Sequence, residues 1–176
     1  MVTRIEREEI AALPDTLTNE SFLVVFGSIP GSSDTKPLTL LCNKCSFPRE
    51  SLGRIETRIA GFIKRQAGMQ ENDGTWTLTF VETIDMAVLS RLRTWKEQCR
   101  GKRSGVSVGY SEDYSTSVEV TIFDSTGAKA DSGKYYKVFP IEIPEVNFDS
   151  TQTGQAIEVA VQFSYDYFVP EKGTTL

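Results

Sequence analysis

The side chains with the most chemical reach in this sequence are three cysteines, at positions 42, 45 and 99. Cys42-Asn-Lys-Cys45 has the spacing of half a zinc site or of a redox pair. A structural zinc site takes four Cys or His ligands. The sequence holds no histidine and only three cysteines, so such a site cannot be completed within it. LTLLCNKCSF also reads as a strand, in which residues three apart point to opposite faces. The sulfurs are therefore read as small buried hydrophobes. The missing histidine has a wider consequence. It removes Ser-His-Asp and Cys-His nucleophiles, imidazole bases and imidazole metal ligands.

Carboxylates are the next candidates. Glu112-Asp113, and Glu142 with Glu145, have the proximity of acid/base pairs. With 24 acidic residues in the chain, carboxylates at turns and on exposed strand faces are the ordinary case. Arg100, Lys102 and Arg103 gather where a helix ends. They can be read as a phosphate site, but cations are favoured at that end in any case. Asn19-Glu20-Ser21 fits a glycosylation acceptor, yet the first ten residues lack the apolar core of a secretion signal. Dinucleotide, P-loop and nucleophile-elbow patterns are absent. Aromatic residues lie mostly at core-facing strand positions and do not alternate with basic ones as on a single-strand binding surface. An enzyme is not expected, nor is a cofactor or a metal.

The elements that would position these residues are mostly strands. A length of 176 residues suffices for one domain with a proper core. The apolar fraction of 39% and charged fraction of 24% are ordinary for a globular chain. A net charge of −5 gives no global attraction for nucleic acid. No apolar run approaches the roughly 18 residues of a membrane span. Synthesis in a reducing cytoplasm is expected.

Residues 1–20 read as an arm, with a short helix possible over Ile5–Leu13. Residues 21–170 read as one β domain and 171–176 as a tail. Strands are expected at Phe22–Phe26, Leu38–Phe47 and Trp76–Phe80. Further strands are expected around Val118–Ile122, across Tyr135–Ile143 with a bulge or edge at Phe139-Pro140, and along Ile157–Phe168. On the last of these, Ile157, Val159, Val161, Phe163, Tyr165 and Tyr167 share one face. Glu158, Gln162, Ser164 and Asp166 lie on the other. One helix runs from about Asp85 to Arg100, with Met86, Leu89, Leu92, Trp95 and Cys99 on one stripe and Asp85 as its N-cap. Two packed antiparallel sheets, as a sandwich or barrel, with one flanking helix are the natural closure.

The stretch SLGRIETRIAGFIKRQAG, residues 51–68, is ambiguous. Leu52, Ile55, Ile59 and Phe62 have helical spacing, while Ile55, Thr57, Ile59 and Ile63 at odd positions suit one strand face. Gly53 and Gly61 would each cost about 1 kcal/mol in a helix. Four basic side chains stand there against Glu56 alone.

Taken together, several of these features resemble the tail tube protein of contractile-tailed bacteriophages over residues 22–169. Phe47-Pro48 ends an early strand. Gly61-Phe62 leads to Arg65 and Ala67-Gly68. Trp76-Thr-Leu-Thr-Phe80 is followed at once by the helix carrying Trp95. Phe139-Pro140 and Tyr165-Asp166-Tyr167-Phe168 come near the end. The fold so implied is shared with type VI secretion and bacteriocin tubes. The resemblance implies hexameric rings, stacked into a hollow tube through which DNA passes without specific binding. It implies sheath, tape measure, baseplate and tail-terminator proteins as partners. The virion tail is the implied location, after assembly in the host cytoplasm. The 51–68 stretch becomes a long hairpin, or a bent ribbon turning near Ala60-Gly61, that extends from the subunit. Arg54, Ile55, Arg58, Ile59, Phe62, Lys64 and Arg65 are then expected to meet neighbouring subunits, as is Ile63. Glu158, Gln162, Ser164 and Asp166 are expected to face the lumen. Lysines in place of Glu158 and Asp166 would then slow DNA passage without preventing assembly. A secretion or bacteriocin tube is the alternative. A monomeric small-ligand β-barrel, or an enzyme using carboxylates alone, is remoter.

Overall fold

The computed structural model describes residues 21–32, 34–49, 51–100, 110–146 and 154–171. The expectations for the 1–20 arm, the Asn19 acceptor, Lys102, Arg103 and the 172–176 tail lie outside the described residues. In chain order the elements are β1 (Phe22–Phe26), α1 (Lys36–Leu40), β2 (Cys42–Lys44), β3 (Ser51–Ile59), β4 (Phe62–Glu71) and β5 (Thr75–Val81). They continue as α2 (Ala87–Cys99), α3 (Ser111–Tyr114), β6 (Thr116–Phe123), β7 (Lys129–Glu142), β8 (Glu158–Ser164) and β9 (Tyr167–Glu171). Strands run in the order β1-β6-β7-β8-β5-β2, with β9 also along β7. Every pairing is antiparallel. β3 and β4 pair with each other, as a separate two-stranded ribbon.

Alternation sets the core. Val159, Val161 and Phe163 of β8 and Trp76, Leu78 and Phe80 of β5 point inward and are buried. Phe163 lies where the packing converges. Trp95, Phe26, Trp76 and Phe80 surround it at 5.9, 6.2, 6.3 and 6.5 Å between ring centroids. The polar ends of the aromatics are satisfied. Trp95 Nε1 donates to the Tyr114 carbonyl at 2.6 Å. Trp76 Nε1 and the Tyr135 hydroxyl both donate to the Ser46 carbonyl, at 2.7 and 2.9 Å.

β7 links the two halves of the seven-stranded sheet. Its first part pairs with β6 on one edge and β9 on the other, and its last part pairs with β8. The strand turns between them at Lys137, whose φ is 57°. Its register against β6 slips there, between Thr116 and Val118. This is a bulge at a barrel corner. The expected irregularity at Phe139-Pro140 has a counterpart in a second slip, between Pro140 and Glu142.

Three expectations are corrected. Leu38–Phe47 is not one strand. Pro37 starts α1, because a fixed φ and a missing N–H suit the first helical turn. Only Cys42–Lys44 is extended. Ile157–Phe168 is broken after β8. Tyr165 stays buried and donates to Asn72 Oδ1 at 2.7 Å. Tyr167 turns outward and stacks on Tyr136 at 4.6 Å. Asp85 does not cap α2. Met86 holds the N-cap position in left-handed geometry. Glu82 supplies the capping oxygens, accepting the Val88 and Leu89 N–H groups at 3.1 and 2.9 Å.

Candidate functional site

The cysteines are poor chemical agents here. Burial pushes the Cys42 thiol up to about 12, with Cys45 adding to the effect. Burial raises Cys45 and Cys99 to about 11. A nucleophilic sulfur needs the opposite shift. The Glu112-Asp113 pair has structural work. Glu112 accepts from Lys137 Nζ at 3.2 Å, and Asp113 accepts the Tyr110 N–H at 2.8 Å. Glu142 stands opposite Gln162 on the neighbouring strand.

The ribbon of β3 and β4 is where the sequence departs from a self-contained fold. Ala60 and Gly61 have φ of 48° and 85°, the two positive values that a tight two-residue hairpin turn requires. At the other end a bulge lies between Leu52 and Arg54. A Cβ on Gly68 would come within 2.9 Å of the Gly53 carbonyl oxygen, so the two backbones close up where a side chain would not fit. Large apolar side chains line the ribbon in the open. Phe62 is 80% exposed, Ile59 58% and Ile55 53%.

The register sorts the predicted contact residues onto two faces. Ile55 lies opposite Gln66, Thr57 opposite Lys64, and Ile59 opposite Phe62. These form one face. Arg54 lies opposite Ala67, Glu56 opposite Arg65, and Arg58 opposite Ile63. These form the other. Ile63 is thus not on the Ile55–Ile59 face, because the two-residue turn pairs odd with even positions. Glu56 holds Arg54 at 2.9 Å and Arg65 at 3.1 Å within the ribbon. Arg58 and Lys64 have no ion-pair partner among the described residues.

A second surface lies on the outward side of β5 and β8. Thr75, Thr77 and Thr79 stand opposite Ser164, Gln162 and Ala160. The patch is small, polar and nearly uncharged. Glu158 closes one end, accepting from Lys44 Nζ at 2.7 Å and Asn43 Nδ2 at 2.8 Å. Those two bonds hold its carboxyl below the usual range. Asp166 is exposed but sits in the bend beyond β8. The threonines of β5 share this face and were missed in the sequence, although their alternation with Trp76, Leu78 and Phe80 carries the signal.

A third feature was also missed. A cleft of about 170 Å³ opens between Phe47-Pro48 and Phe168-Pro170, with Asp131 and Ser132 alongside. It joins segments more than 80 positions apart, so no local pattern announces it.

The family model described as phage tail tube protein matches residues 12–171. No match is found among curated proteins. Among solved structures, the chain is similar to one in the extended sheath–tube complex of an extracellular contractile injection system, PVC. There the TM-score is 0.66 at 14% identity, covering 97% of this chain and 100% of that one. A chain of the anti-feeding prophage baseplate gives 0.66 at 12% identity, covering 93% and 100%. A chain of the PVC sheath/tube terminator gives 0.65 at 15%, covering 91% and 99%.

Proposed function

The chain belongs to the phage tail tube protein family, and from that premise we propose that it is the repeating subunit of a hollow tail tube, built of stacked hexameric rings, that conducts DNA. It is a structural protein and not an enzyme. The observation that carries the assembly is the β3–β4 ribbon. A lone two-stranded hairpin is marginal in water, and this one exposes Leu52, Ile55, Ile59, Phe62 and Met69. A second copy of the chain is the partner that a homopolymer supplies. Arg54, Arg58, Lys64 and Arg65 then face carboxylates of neighbours. Ring closure and open-ended stacking both follow from head-to-tail contacts. Among the described residues β1 and β2 end the strand order, and such edges become joints instead of liabilities.

The Thr75–Thr79 and Ala160–Ser164 face, with Gln162, lines the channel in this reading. A conduit must not hold its cargo, and a lining without clustered cations forms few phosphate contacts. Sheath, terminator, baseplate and tape measure proteins are the proposed partners, in the virion tail, with assembly in the host cytoplasm. The solved relatives come from sheath–tube, terminator and baseplate assemblies. A tube that carries other cargo shares the fold, and genes for capsid beside this one would separate the two. Electron microscopy of the purified full chain at high concentration tests assembly. Rings or tubes with a central channel are expected. A monomer across salt and concentration overturns the proposal.

A further inference from the structure

We infer that the hairpin tip has a specific socket on a second copy of this chain: Phe62 enters the cleft between Phe47-Pro48 and Phe168-Pro170, and Lys64 meets Asp131 beside it. This rests on the tube reading, which brings a second copy within reach. Size agrees. The cleft measures about 170 Å³, and an apolar cavity of about 150 Å³ holds a benzene ring. Two of its walls are aromatic, with Phe47 and Phe168 centroids 5.6 Å apart and tilted by 54°. Such pairs accept a further ring by edge or offset contact. Gly133 sets one wall. A Cβ there would lie 2.1 Å from Phe168 Cζ, so glycine lets that ring lie down on β7.

Charge agrees as well. Asp131 accepts the Ser132 N–H at 2.8 Å and has no ion-pair partner among the described residues. Lys64 is likewise unpaired and shares a ribbon face with Phe62, as the register opposite Thr57 and Ile59 shows. Two residues along a strand span roughly 7 Å. The tip thus offers a ring and, one step along the same face, a cation. The cleft offers a ring-sized space with a carboxylate beside it. The ribbon extends roughly 30 Å over the nine residues of β3, a reach of domain size.

The test places a photoreactive benzophenone amino acid at position 62 of the full chain. Tubes are grown from mixed isotope-labelled and unlabelled copies, irradiated and mapped by mass spectrometry. Cross-links between copies to residues 47–48 or 168–170 are expected. Wild-type tubes with cross-links elsewhere, or only within one copy, overturn the socket and leave the tube reading standing. A wild-type protein that never assembles overturns both. The charge pair is read separately. Lys64→Glu and Asp131→Lys should each raise the concentration needed for tube growth about tenfold, and the double variant should return it to within about threefold. Single and double variants equally impaired, with wild-type thermal unfolding, overturn the pair.

Discussion

Glu82 caps α2 from five residues before it begins, and the cap is the clearest case of a single side chain setting an element. One carboxylate oxygen accepts the Thr83 and Val88 N–H groups and the other accepts that of Leu89, at 2.9–3.1 Å. Loss of a helix cap costs about 0.5–2 kcal/mol. Glu82→Ala should lower unfolding stability by about that amount in urea titration, and Glu82→Gln by less, since one oxygen remains. An unchanged midpoint for Glu82→Ala would show the cap to be idle. The thiols give a pH prediction. Their ordinary value is near 9, and burial raises the folded ones to about 11 or 12. Below pH 9 both states keep their protons. Above it the unfolded chain releases protons that the folded chain retains, so stability falls as pH rises from about 9 toward 12. Burial shifts Tyr135 and Tyr165 upward too, in the same sense. Melting temperature against pH should therefore decline over that window. The decline should be shallower when Cys42, Cys45 and Cys99 are all replaced by alanine.

At the scale of the element, the proposed role of the ribbon as a contact between copies separates folding from assembly. Arg58 is on the Ile63 face with no ion-pair partner among the described residues. Arg58→Glu should change urea stability by no more than about 0.5 kcal/mol, while tube growth followed by light scattering falls sharply. Arg65→Glu is a less clean probe, because it also breaks the bond to Glu56. Growth at the wild-type rate for Arg58→Glu would remove that face from the interface. The hairpin was legible only through the family resemblance, since Gly53 and Gly61 weigh against a helix but leave a strand and other forms open. Its face assignment was not. The position of Ile63 depends on a two-residue turn, and one residue of slip moves a side chain across the ribbon. Alternation along β5, β6 and β8 was legible because one face is buried. α1 was not, because a short apolar run such as LTLL fits a strand and a helix equally until Pro37 is seen to start it. The corner at Lys137 left no mark, as lysine is no usual choice for positive φ.

For the whole molecule, the proposed role as a conduit puts a demand on the balance of charge and the placement of polar faces besides stability. The chain carries −5 overall, and the β5–β8 face pairs Thr75, Thr77 and Thr79 with Ser164, Gln162 and Ala160. If that face lines the channel, few cations meet the phosphates, and ring symmetry multiplies whatever each copy presents. Lysine in place of Glu158 is an impure test, because Lys44 lies 2.7 Å from that carboxylate and would face a like charge. Thr77 and Gln162 are a cross-strand pair, with Thr77 exposed and Gln162 half-buried. Thr77→Lys with Gln162→Lys should leave folding and tube growth near wild type. The tubes themselves should now retain short DNA duplexes at about 50 mM salt and release them at about 200 mM, as counterion release dictates. Wild-type tubes should retain little at either. Retention unchanged in the variant would place this face away from the channel. Failure of the variant to form tubes, with the subunit still folded, would make it a contact between subunits.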